Sequence, residues 1–220
     1  MNTLISLLGC NCPLPTALTT IPANSCPKNI GQIQRLFIVR KGNVIWDDSD
    51  PLQNTPSSIA VLGYTIDTVA PWNVLFAAAD STKVVKTPLI GGDSTITAGT
   101  AITQGGGDNS TLNGETLING FNPSDVSMRF DSLDTTQVAA MKELRCEDVE
   151  VYFINDAGKI LCRKDGDLIT GFDAKNFSLS SKNNAGFGTR DNNVLTFQLD
   201  DDWDEYLEFK TPSDFNALTI

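Results

Sequence analysis

Histidine is missing altogether from the 220 residues. It is the commonest general acid or base near neutral pH and a leading metal ligand. Its absence excludes Ser-His-Asp and Cys-His nucleophiles and most catalytic zinc sites. Basic runs are missing too. Against 27 Asp and Glu stand 16 Lys and Arg, a net charge of −11, with no cationic cluster to grip nucleic-acid phosphates. Sequence-specific nucleic-acid binding is therefore not expected, although an acidic surface suits DNA that slides past. No apolar run is long enough to span a membrane. Leu7-Leu8-Gly9-Cys10 has the outline of a lipoprotein cleavage box, but no Lys or Arg precedes it and its apolar stretch is too short for a signal sequence. The five cysteines, Cys10, Cys12, Cys26, Cys146 and Cys162, are odd in number and point to a reduced compartment rather than a paired framework. Cys10, Cys12 and Cys26 lack a fourth ligand and the usual zinc spacing, so neither a metal nor a cofactor is expected.

What is present is mostly strand pattern, arranged around residues 130 to 162. Asp134 and Gln137 form a capping-box pair at the start of a helix over 134 to 145, with Val138, Met141 and Leu144 on its buried stripe. A strand from Glu147 to Ile154 follows. Val149, Val151 and Phe153 share one face, while the other begins charged at Glu150 and ends apolar at Ile154, so the strand is expected to be covered on both sides. Asn155-Asp156-Ala157-Gly158 then closes a hairpin onto Lys159 to Cys162. A helix laid on an antiparallel sheet is the local theme.

The chain divides into an extended, proline-rich arm over residues 1–30 and a single β-rich domain over 31–220. Gln32 to Arg40 reads as a strand entering a buried sheet, and Lys41-Gly42-Asn43 as a turn into Val44-Ile45-Trp46, a first hairpin. Ile59 to Leu62 and Leu89-Ile90 are further strand candidates, and Ala70 to Ala79 is a second helix with Trp72, Leu75, Phe76 and Ala79 on one side. Residues 91–122, rich in Gly, Ser and Thr, form a long excursion with a weak hairpin that orders against a neighbour. Gly105-Gly106-Gly107 lacks the Lys-Ser/Thr and the strand-to-helix setting of a phosphate loop. Leu168 to Phe172, Asn176 to Ser180 and Val194 to Leu199 read as strands.

Asp200, Asp201, Asp202, Asp204 and Glu205, surrounding Trp203 and near Tyr206, are the densest carboxylate cluster. They lack the alternating ligands and downstream Glu of a calcium loop, and nothing pairs a nucleophile with a base, so no catalytic residues are assigned. A carboxylate enzyme would lose turnover on changing Asp202 or Glu205. A glycan-binding module would use Trp203, Tyr206 or Trp46.

Several blocks carry a family likeness. They are the Cys-Pro-rich arm ending Cys26-Pro27-Lys28-Asn29-Ile30-Gly31-Gln32-Ile33-Gln34, Pro71-Trp72-Asn73 to Asp80-Ser81-Thr82-Lys83-Val84-Val85, Tyr152-Phe153-Ile154-Asn155, and Asn192-Asn193-Val194-Leu195-Thr196-Phe197-Gln198-Leu199 with Trp203. Together they resemble virion structural proteins of tailed bacteriophages infecting Bacteroides and related bacteria, most closely a tail-tube or tail-ring subunit. The resemblance implies a mainly β fold, an antiparallel β-sandwich or barrel with one or two short flanking helices and a long loop. It also implies a non-enzymatic homo-oligomer, a ring or tube around a DNA-passing lumen, in contact with other tail or connector proteins. Such a subunit resides in the phage tail or neck and is assembled in the host cytoplasm. A head-completion or capsid-decoration protein, or an adhesion module, is the alternative.

Overall fold

A computed structural model describes residues 29–47, 65–92, 94–107, 114–184 and 186–220. The arm over 1–28, with Cys10, Cys12 and Cys26, and the strand expected at Ile59 to Leu62 lie outside the described residues. The strands are β1 (Ile33–Arg40), β2 (Trp46–Asp47), β3 (Val85–Lys86), β4 (Ser94–Thr97), β5 (Ala101–Gln104), β6 (Leu117–Phe121), β7 (Ser124–Asp131), β8 (Val149–Asn155), β9 (Ile160–Asp165), β10 (Leu168–Thr170), β11 (Phe172–Leu179), β12 (Asn192–Leu199) and β13 (Leu207–Lys210). The helices are α1 (Val69–Ala77) and α2 (Thr135–Glu143).

These strands make a mainly β, sandwich-like fold, not a closed barrel. One layer carries β3, β1, β8, β9, β10 and β2, with β13 on the other edge of β9; the second carries β4, β7, β12 and the end of β11. All the pairings are antiparallel. Closure fails because β4 and β2 end the strand path unpaired on their outer sides.

β11 belongs to both layers. Its first half pairs with β8 (Phe172↔Val151, Ala174↔Val149) and its second with β12 (Ser178↔Thr196, Leu179↔Leu195), with a register break between Lys175 and Ser178. Asn176 sits in that break at φ 55°, a left-handed conformation that asparagine tolerates better than most residues. The sequence there reads as two strands because the polar run Asp173 to Asn176 interrupts the apolar pattern; the backbone carries the ladder through it as one strand. At the start of β11, Gly171 passes against β8 so closely that a Cβ would lie 2.8 Å from the Glu150 Cβ and 3.0 Å from the Val151 nitrogen. Only glycine lets the chain leave β9 and join β8 there.

All seven residues of β8 are buried, as its two-faced pattern requires. Val149, Val151 and Phe153 face the core between the layers, with Leu36 and Ile38 of β1, Met128 of β7 and Phe197 of β12. Tyr152 and Ile154 face a second core on the outside of the first layer, under Trp72 and Leu75 of α1 and Ala217 of the C-terminal segment. Trp72 is the hub of this second core, with ring centroids 5.0 Å from Trp46, 5.1 Å from Phe37 and 5.5 Å from Tyr152, and its indole N–H donates to the Ile66 carbonyl at 2.7 Å. The start of α1 is held from far along the chain: the Asp214 carboxylate accepts from the Val69 N–H at 2.9 Å, where a helix favours an anion. At α2 the expected capping box is complete, with Asp134 accepting from the Gln137 N–H at 2.7 Å and Gln137 accepting from the Asp134 N–H at 3.1 Å.

The hairpin expected at Lys41-Gly42-Asn43 does not form. The chain does turn there, but β2 pairs with β10 (Ile169↔Trp46), because Val44 and Trp46 are buried in the second core rather than along β1. The edge of β1 is taken instead by β3 and, beyond it, by the Thr87 and Ile90 amides, which donate to Leu36 and Gln34 carbonyls. Leu89-Ile90 thus tracks β1 without being a strand.

Candidate functional site

Within 91–122, β4 is stitched to β7 (Ser94↔Met128 to Thr97↔Asp125), while β5 and β6 pair only with each other (Ala101↔Phe121 to Gln104↔Leu117). The two ladders are one ribbon bent at Gly99 and Pro123. At the bend a Cβ on Gly99 would lie 1.7 Å from the Asn122 carbonyl oxygen, so the two chains touch backbone to backbone. Asn122 fastens the far side, donating its N–H to the Thr100 carbonyl at 2.9 Å and its side-chain amide to the Thr100 hydroxyl at 3.0 Å.

Beyond the bend the hairpin stands off the body. Every residue of β5 is exposed, and no residue of β5 or β6 belongs to either core. Ile102, Ile118 and Phe121 are 46%, 60% and 53% exposed. An isolated two-stranded hairpin is marginal in water, and exposed apolar side chains gathered on one marks a surface that is covered in use. All nine residues of β5 and β6 are uncharged in a chain of net charge −11.

The acidic cluster is ordered differently from a ligand shell. Residues 200–207 form successive turns, with the Trp203, Glu205 and Leu207 amides bonded to the Asp200, Asp202 and Asp204 carbonyls. Asp200 is salt-bridged to Lys175, and Asp201, Asp204 and Glu205 are exposed. Among the described residues no group of three or more acidic or cysteine side chains is placed to hold a metal ion. Trp203 packs edge-on against Phe172 at 5.7 Å, Tyr206 lies under the Arg163 guanidinium at 4.8 Å, and Trp46 is buried. Trp46 therefore offers no face to a sugar. Cys146 is exposed and Cys162 lies in the second core.

Two charged residues that the sequence did not single out occupy special positions. Glu150 is buried, with one carboxylate oxygen accepting from the Gly42 N–H at 3.1 Å and the other without a partner. Burial pushes its carboxyl up to about 7, Asp173 adds to the rise, and the Gly42 and Gly171 amides and Lys41 pull against it. Arg35 sends one guanidinium nitrogen to the Leu218 and Ile220 carbonyls at 2.6 and 3.2 Å, while its Nε is buried without a partner. Strand alternation flags Glu150 as the charged residue on a strand expected to be covered on both faces; nothing local flags Arg35. Among the described residues no helix is long and apolar enough to cross a membrane. No protein-family model, curated protein or solved structure matches the chain.

Proposed function

We propose that this chain is a non-enzymatic virion structural protein of a tailed bacteriophage, a tail-tube or tail-ring subunit that self-assembles into a cyclic homo-oligomer. The observation that carries this reading is the β5–β6 hairpin, which projects uncharged, apolar side chains that its own cores do not cover. A contact that joins such an arm to a different patch on the next copy is head-to-tail, and head-to-tail contacts close into rings when the rotation permits. The acidic balance fits a lumen through which DNA passes without being held. Open edges at β4 and β2 are positions where neighbouring copies extend the sheet.

Light scattering and negative-stain electron microscopy of the purified protein test this reading. Rings or stacked tubes are the expected result, with their symmetry separating tube from connector. A compact monomer across the accessible concentration range overturns it.

A further inference from the structure

We propose that the groove between α2 and β3 is the seat of the β5–β6 hairpin of a neighbouring copy. This rests on the reading of the chain as a self-assembling subunit, and it adds where the arm lands. The groove, about 560 Å³, has Ile38, Val85, Pro88, Met141 and Leu144 among its walls. A second hollow of about 430 Å³ shares Ile38, Val85, Leu144 and Glu147 with it, so the two form one trough along the edge of the first layer. No residue of β5 or β6 lines either hollow within one copy.

Three independent features of the trough match the hairpin. The first is Arg35, which lines the groove and keeps a buried Nε–H without an acceptor. A buried donor of this kind is costly until something supplies an oxygen, and an incoming strand brings a carbonyl at every residue. The second is β3 itself. It is paired only with β1, both its residues are exposed, and its outer edge is open to a further strand. The third is polarity: the apolar floor suits Ile102, Ile118 and Phe121, while Lys86, Gln137, Glu143 and Glu147 on the rim suit the uncharged polar residues Thr103, Gln104 and Asn119. A strand laid against an open edge, with alternate side chains in pockets, uses all three at once.

The experiment uses full-length protein with the photocrosslinker p-benzoylphenylalanine in place of Phe121, assembled from mixed ¹⁵N-labelled and unlabelled copies so that inter-copy crosslinks are recognised by mass. Crosslinks between copies to residues 85–88 or 137–147 are expected. Inter-copy crosslinks elsewhere, crosslinks to residues 1–28, or crosslinks confined to one chain overturn the proposal. In the first of these cases the self-assembly reading survives while the groove does not. Ala140→Arg supplies the second arm: Ala140 is exposed, so the fold is expected to keep its melting point while the dissociation constant of assembly rises about tenfold or more. Unchanged assembly by Ala140→Arg overturns the groove as the seat. Wild-type protein that never assembles overturns both readings together.

Discussion

Glu150 and Asp173 stand directly opposite each other in the β8–β11 ladder, and Lys41 salt-bridges the second of them. Like charges in that relation repel. The arrangement persists because Glu150 is buried and its carboxyl is pushed up to about 7, so that below neutrality the pair holds a single negative charge beside the lysine.

The pH dependence of stability follows from that relation. The folded value, about 7, lies above the ordinary 4.5, so the folded chain keeps a proton that the unfolded chain has released. The resulting stabilisation is complete below pH 4.5 and lost as pH rises through 7, a change of roughly 3 kcal/mol. Urea unfolding at pH 5 and pH 8 is expected to show this loss in the wild type and little of it in Glu150→Gln. Equal losses in both proteins would remove Glu150 as the source. Below pH 4.5 the sign reverses, since Arg40 holds the Glu147 carboxyl below its ordinary value and Thr82 does the same for Asp80.

Gly99→Val is expected to free the arm without unfolding the body. The new side chain meets the Asn122 carbonyl, so the ribbon must open at its bend and the Asn122 to Thr100 hydrogen bonds are lost. Hydrogen exchange read by mass spectrometry should then accelerate over 100–107 and 114–122, with protection of β7, β8 and β12 unchanged. Exchange that rises throughout the chain would place the bend in the folding core instead.

Trp72→Ala should cost about 3 to 5 kcal/mol, the range for deleting a large buried ring. The change leaves Trp46, Phe37 and Tyr152 around a void and orphans the Ile66 carbonyl. Denaturant unfolding measures it. A cost below about 1 kcal/mol would mean that the second core contributes little to stability.

The capping box gives a smaller, local test. Asp134→Ala is expected to cost about 1 kcal/mol and Gln137→Ala less, because the aspartate satisfies an amide inside the first turn. Equal effects in a paired denaturation series would contradict that division.

What the sequence made legible is what neighbours in the chain decide. The Asp134-Gln137 box, the two faces of Val149 to Ile154 and the Asn155 turn depend on residues a few positions apart, and all three stand in the structure; the Asn155 side chain itself accepts from the Ala157 and Lys159 amides. The Lys41 hairpin failed because the partner of Trp46 is Ile169, far along the chain. β7 was missed although Val126, Met128 and Phe130 alternate inward, because the Gly- and Ser-rich composition before it masked the period. β13 was hidden by the carboxylates that precede it. Carboxylate density in 200–205 was visible, but its neutralisation by Lys175 was not, and the groove beside Arg35 exists only once β1, β3 and α2 meet.

The strand shared between the two layers also decides how the molecule carries load. A pull on the projecting arm enters through β7, passes along eight paired residues into β12, then through β11 into β8 and the buried first layer. Where that tension runs along the strands, the ladders are loaded in shear, with many hydrogen bonds resisting together instead of opening one after another. The sandwich is in that sense a single anchor, and force received at its most exposed element is delivered to its most buried one.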